Sequence, residues 1–226
     1  LTASQKTEYI SLYKNHEVNN HTKGHPKFND VTLEAAEAAI IDGKNELNAM
    51  FGEGTVRGFT YPFNRPYGHA NEQAIVRIIK DNGMVYARPS SVSGSFDIPT
   101  NFDDWKFTCH HNNLELYKEN FYNLPDSGQL KLLAVWGHSW EFSPDSNATP
   151  PRGDTWDTIL APFLNELDAR RNELYIGTNI EIYDYIQAKK QLVIQSDFVY
   201  NPSNVALYVN IDGRNVVLYG GQKVYR

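Results

Sequence analysis

Residues 56–88 read VRGFTYPFNRPYGHANEQAIVRIIKDNGMVYAR, and this segment carries the clearest structural pattern of the chain. The β-forming residues Val56–Thr60 predict a strand, and a loop that contains two prolines follows it. Residues Ala70–Asp81 predict a helix that ends before Gly83, and Met84–Arg88 predict a second strand. A strand, a helix and a strand in succession indicate a βαβ unit with parallel strands.

The same alternation continues on both sides of this unit. Further helices are predicted over residues 3–14, 32–51, 114–123, 154–172 and 180–190, and further strands over 17–19, 106–109, 130–136 and 174–176. Helices and strands that alternate in this way predict an α/β fold around a mostly parallel sheet or barrel.

The pattern changes after residue 191. Residues 192–226 alternate β-forming residues with turn signals and predict three or four short antiparallel strands, with Asp212-Gly213 as a hairpin turn. We therefore expect a first domain over residues 1–191 and a C-terminal β segment over residues 192–226.

Composition excludes several classes of protein. The 226 residues are 41% hydrophobic and 21% charged, which is ordinary for a globular chain. A formal net charge of −6 argues against a dedicated nucleic-acid binder, because such proteins neutralise phosphates with basic residues. The single cysteine, Cys109, excludes an intrachain disulfide and a cysteine-based zinc knuckle. No apolar run approaches the roughly 18–20 residues needed to cross a bilayer.

A pair of histidines forms the sharpest local motif, Asn20-His21-Thr22-Lys23-Gly24-His25-Pro26. Two imidazoles four residues apart can bind one metal ion, and Gly24 and Pro26 favour a loop. The simpler alternative is a pair of surface histidines without a shared role.

A second motif, LLAVWGHSWE at residues 132–141, places His138 just after an apolar strand. Sites in parallel α/β folds assemble at the carboxyl ends of strands, where a histidine can act as a general acid or base. The alternative is a structural histidine hydrogen-bonded to the backbone.

Two further segments contain candidate site residues. Tyr61-Pro62-Phe63 follows a strand, and the simpler alternative is an aromatic loop packed on the core. His110 and His111 are adjacent, and successive side chains of a strand point to opposite faces, so we expect at most one of them to reach the site. Cys109 is expected to be a small buried residue rather than a ligand.

Taken in order, these segments resemble the polysaccharide deacetylases, the family-four carbohydrate esterases. His21-Thr22-x-x-His25 resembles the second motif of that family, which supplies two metal-binding histidines. The other segments that carry the resemblance are residues 16–20, Phe59–Phe63, Asp104-Trp105, Trp136–Ser139 and Thr178–Tyr185. The resemblance implies an incomplete or irregular (β/α) barrel.

The resemblance also implies a function, the metal-dependent removal of N- or O-linked acetyl groups from a polysaccharide or oligosaccharide. His21 and His25 would bind a divalent metal, with Zn²⁺ expected, and His138 would be the general acid. Tyr61, Phe63, Trp136 and His110 would contact the substrate. A secreted, periplasmic or cell-surface location is expected on the same basis.

One family motif has no counterpart in the chain. The Asp-Asp pair of the T-F-D-D-G motif supplies the catalytic base and a metal ligand, yet none of the 20 residues before His21 is an Asp. Phe102-Asp103-Asp104 is no substitute, because it follows the histidine pair and lacks the glycine. We expect that the sequence lacks the first part of the barrel, which leaves the activity of this chain alone in doubt. The alternatives are a non-catalytic carbohydrate-binding protein and a metal-independent structural domain.

Overall fold

The computed structural model describes residues 2–125, 127–145 and 155–226. They divide into two compact units, the first formed by residues 1–14 and 18–176 and the second by residues 15–17 and 177–226. The predicted boundary at residue 191 stays a prediction, although the preceding helix belongs to the second unit.

Five α-helices lie in the described part of the first unit. They are α1 (Ala3–Tyr13), α2 (Leu33–Phe51), α3 (Glu72–Asp81), α4 (Leu114–Tyr122) and α5 (Ala161–Ala169). Thr2 and Thr32 cap α1 and α2 by accepting backbone hydrogen bonds, as threonines before a helix commonly do. A π-helical turn, Trp156–Leu160, precedes α5, so the helix predicted over residues 154–172 is interrupted just before Pro162. Residue 154 lies outside the described residues.

The strands of the first unit are short and form two parallel pairs. Strand β1 (Gly58–Thr60) pairs with β2 (Tyr86–Arg88), and β3 (Cys109–His110) pairs with β4 (Val135–Trp136). A parallel bridge joins Asn20 to Phe59 beside the first pair. The βαβ unit predicted from residues 56–88 is therefore confirmed, with strands shorter than the sequence suggested.

The barrel prediction is confirmed only in its coarser form. The fold is mixed α/β, but the described strands form small separate sheets and no closed barrel. The strands predicted over residues 17–19 and 174–176 are absent, and the strand predicted over 130–136 is reduced to β4. The strands were predicted from the types of their side chains. A strand forms only where a neighbouring backbone segment satisfies its hydrogen bonds.

The main core of the first unit lies around the first parallel pair. Aromatic and aliphatic side chains from β1, α2, α3 and the 3₁₀ turn Phe28–Asp30 pack together there, among them Phe28, Ile40, Phe59, Ile75 and Ile79. Burial of each such side chain contributes about 1.5–3 kcal/mol. This packing holds the carboxyl end of β1 in place, and the candidate site starts there.

The second unit contains one helix and five short antiparallel strands. They are α6 (Asn179–Lys190), β5 (Val193–Ile194), β6 (Phe198–Tyr200), β7 (Leu207–Ile211), β8 (Arg214–Leu218) and β9 (Lys223–Tyr225). Asp212 and Gly213 both have positive φ in the turn between β7 and β8, as a two-residue type I′ turn requires. The predicted hairpin is confirmed. No helix among the described residues is both long and apolar enough to cross a membrane.

Candidate functional site

The loop that carries His21 is fastened to helix α2. Asn20 is fully buried; its side chain donates to the carbonyl of Ile40 at 2.8 Å and accepts from the Thr22 N–H at 2.9 Å. The Lys23 N–H donates to the Ala39 carbonyl at 2.8 Å. These bonds fix the start of the loop relative to the helix.

The backbone of this loop takes an uncommon course. Thr22 and His25 have φ values of 66° and 51°, in the left-handed region that non-glycine residues seldom occupy, and Gly24 has a φ of 78°. These turns fold the chain back on itself, so the rings of His21 and His25 come within 4.7 Å of each other, centroid to centroid. Strain of this kind commonly marks functional sites.

The His21 ring is oriented by a carbonyl at the end of β1. Its Nδ1 lies 2.8 Å from the Thr60 carbonyl oxygen, which can only accept, so Nδ1 carries the proton. The lone pair of a neutral His21 is then on Nε2. Desolvation lowers the pKa of His21, and the nearby His25 and His138 lower it further against the raising effect of Thr60.

The aromatic residues after β1 adjoin the two histidines. The Phe63 ring lies 4.7 Å from that of His25, and its backbone also has a positive φ, 59°. The Tyr61 ring is buried, and its hydroxyl donates to the Asp103 carbonyl at 3.1 Å. Burial raises the pKa of Tyr61 well above its usual range, so this phenol stays protonated at physiological pH.

His138 lines the same cavity as His21 and His25. The cavity has a volume of about 810 Å³, and its wall also includes Tyr61, Phe63 and Trp136. Six of the seven residues predicted for the site thus line a single cavity. The seventh, His110, is not among the lining residues, and its neighbour His111 is.

Glu141 connects three histidines beside this cavity. Its Oε2 accepts from the backbone N–H of His138 at 2.7 Å and lies 3.1 Å from Nδ1 of the same residue. The same oxygen lies 3.2 Å from His110 Nε2 and 3.9 Å from His111 Nδ1. We call these four residues the Glu141 cluster.

One of the two adjacent histidines, His111, lines the cavity, but the two rings do not point to opposite sides as they would in a strand. Strand β3 ends at His110, and His111 begins a 3₁₀ turn that runs to Asn113. The alternation of a strand no longer applies after its last residue, so the two rings lie 4.2 Å apart, centroid to centroid. His110, His111 and Glu141 form a group whose ligand atoms lie within 4.8 Å of one another.

One family model matches part of the chain. Residues 3–87 match the model described as polysaccharide deacetylase, and this range includes His21, His25, Tyr61 and Phe63. This segment, which is less than half of the chain, is similar to the polysaccharide deacetylase family. No curated protein and no solved structure matches the chain.

The Glu141 cluster lies outside the part that matches the polysaccharide deacetylase model. It includes the buried His111. Neither ring nitrogen of His111 has a described partner at the distance and angle of an ordinary hydrogen bond. Burial lowers the pKa of His111, and His110 lowers it further, while Glu141 and the Trp136 carbonyl oppose that shift. Position 137 is a glycine because a Cβ there would overlap the His111 ring.

Sequence reasoning overlooked one residue of the site, Glu141, and named His110 rather than His111 as the substrate contact. Glu141 was visible only as the third residue after His138, a spacing typical of a carboxylate that binds the backbone at the start of a helical turn. The sequence could not choose between His110 and His111, because the choice depends on where β3 ends.

Proposed function

We propose that the chain is a metal-dependent hydrolase that removes N- or O-linked acetyl groups from a polysaccharide. The observation that carries this proposal is the convergence of His21, His25 and His138 on one cavity. The match of residues 3–87 to the polysaccharide deacetylase family supports it. On the same basis we propose a secreted, periplasmic or cell-surface location.

His21 and His25 would hold the metal, and their chemistry suits Zn²⁺. Metal-binding histidines usually donate their second ring N–H to a carbonyl or carboxylate, and His21 donates Nδ1–H to Thr60. A bound zinc ion would supply a Lewis acid and lower the pKa of water. Among the described residues no carboxylate joins His21 and His25 in a group of three, so the described part of the chain offers two ligands there.

His138 would act as the general acid. In its imidazolium form it would give a proton to the leaving amine or alcohol as the bond to the acyl carbon breaks. The apolar rings of Phe63 and Trp136 would contact the acetyl group or a sugar face, because aromatic rings combine an apolar surface with fixed orientation. His110 remains a predicted substrate contact.

Zinc content and acetate release test the proposal together. Purified chain should bind one zinc per molecule, the double variant His21→Ala, His25→Ala should lose it, and His69→Ala, outside the cavity lining, should keep it. Acetate release from acetylated chitin-type oligosaccharides or acetylxylan should fall about 100-fold or more in His138→Ala, with zinc retained. A double variant that kept a full zinc equivalent would refute the site.

A second candidate function is carbohydrate binding without catalysis. The lack of a carboxylate beside His21 and His25 among the described residues favours it. It predicts oligosaccharide binding, measured by calorimetry, without acetate release from either polymer. Acetate release that depends on His138 would exclude it.

A further inference from the structure

We propose that Glu141 is a positioning residue for His138, one that fixes which ring nitrogen keeps a proton and which exchanges it with the substrate. This inference rests on the proposed role of His138 as general acid. It names a residue outside the segment that matches the family model and assigns the carboxylate a task distinct from metal binding.

The first support is the double contact between Glu141 and His138. Oε2 accepts from the backbone N–H at 2.7 Å and lies 3.1 Å from the side-chain Nδ1. A carboxylate oxygen only accepts, so the contact with Glu141 places a proton on Nδ1 of His138, in competition with the Glu141 backbone N–H, which faces the same side chain. The Nε2 atom is then the one that gains or loses a proton.

Two tryptophans restrict the same ring. The indole of Trp140 stacks on His138 at 5.1 Å with an angle of 23° between planes, and that of Trp136 meets it edge-on at 5.4 Å. Rotation of His138 about its side-chain bonds would break these ring contacts as well as the Glu141 bond. The ring is therefore held in one orientation beside the cavity.

The contacts of His110 favour a hydrogen-bonded group of side chains over a cation site. The Asn112 N–H donates to His110 Nδ1 at 3.3 Å, which places the proton of a neutral His110 on Nε2, opposite Glu141 at 3.2 Å. A metal bound through Nε2 would require the proton on Nδ1, where it would face the Asn112 N–H. The hydrogen-bonded arrangement gives a partner to each ring nitrogen of His110.

The carboxylate is charged under ordinary conditions. Burial acts to raise the pKa of Glu141, but the hydrogen bonds from His138 and the charges of His110 and His138 outweigh burial, and the net pKa is lowered. A charged acceptor stabilises the imidazolium that must form before proton donation. In the step itself, Nε2 gives its proton to the leaving nitrogen or oxygen, which takes the electron pair of the broken acyl bond.

Nitrogen-15 NMR of histidine-labelled full chain tests this inference without requiring activity. At about pH 9, well above the usual imidazole pKa, His138 should show a protonated Nδ1 and an unprotonated Nε2. Glu141→Ala should shift His138 toward the Nε2–H form, and Glu141→Gln, whose amide oxygen can still accept, should restore the Nδ1–H form. The matched control is Glu181→Ala, since Glu181 accepts from the Thr178 N–H at 2.7 Å in the same way.

The outcomes separate the inference from the proposed function. An unchanged His138 tautomer in Glu141→Ala would overturn the positioning role even if acetate is released. Zinc bound at the Glu141 cluster in the His21→Ala, His25→Ala variant, seen as shifts of His110 and His111 resonances, would overturn it in favour of a metal site. In active protein, Glu141→Ala should lower kcat about 10- to 100-fold with little change in KM.

Discussion

At the scale of single residues, the site depends on a glycine that contributes no side chain. Gly137 lies between Trp136 and His138, and the ring of buried His111 occupies the space where its Cβ would be. The Trp-Gly-His sequence was interpreted from Trp136 and His138 without a role for the glycine. The structure adds that the glycine is needed for His111 and the strand carrying Trp136 to approach each other.

Gly137→Ala should therefore destabilise the first unit. The added methyl group must displace the His111 ring or the backbone, and overpacking of this kind costs about 1–3 kcal/mol. Urea unfolding measures the loss. Ser139→Ala, an exposed neighbour, serves as the control and should change the free energy of unfolding by less than about 0.5 kcal/mol. Equal stability of the two variants would contradict the steric explanation.

At the scale of elements, helix α2 packs closely against the loop that carries His21 and His25. Gly43 is buried within α2, where glycine costs about 1 kcal/mol relative to alanine. A Cβ at Gly43 would lie 2.6 Å from Asn20 Oδ1 and 2.8 Å from the Thr22 carbonyl carbon. The glycine thus lowers intrinsic helix stability and allows the loop with His21 and His25 to lie against the helix.

Gly43→Ala should weaken zinc binding by about tenfold while raising helix propensity, because the loop must move away from the helix. A chelator competition titration gives the affinity. Ala38→Gly, at an exposed position of the same helix, is the reciprocal control; it should lower stability and leave zinc affinity unchanged. If Gly43→Ala bound zinc as tightly as the parent chain, the loop would not depend on this contact.

At the scale of the whole molecule, the sequence predicted best those features that depend on residues close together in the chain. The helices and the β7–β8 hairpin followed from periodicity, caps and turn residues, and the His21–His25 motif was compact enough to recognise. The strand lengths and the absence of a closed barrel among the described residues could not be predicted, because they depend on backbone pairing between distant segments. The contact between Glu141 and His110 could not be predicted either, because it joins residues that are 31 positions apart.

Buried His111 should also make the stability of the molecule depend on pH. Burial lowers its folded-state pKa below the ordinary 6.5, so the unfolded chain binds more protons in the range between those two values. The free energy of unfolding is then highest above pH 6.5 and falls as the pH decreases below it. Urea titrations with chelator present, from pH 7.5 to 5.5, should show this fall, and His111→Gln should make it shallower, while His21, whose pKa is also lowered, keeps part of it. His69→Gln should keep the slope of the parent chain. A slope unchanged by His111→Gln would mean that the buried imidazole is not the group that links protonation to folding.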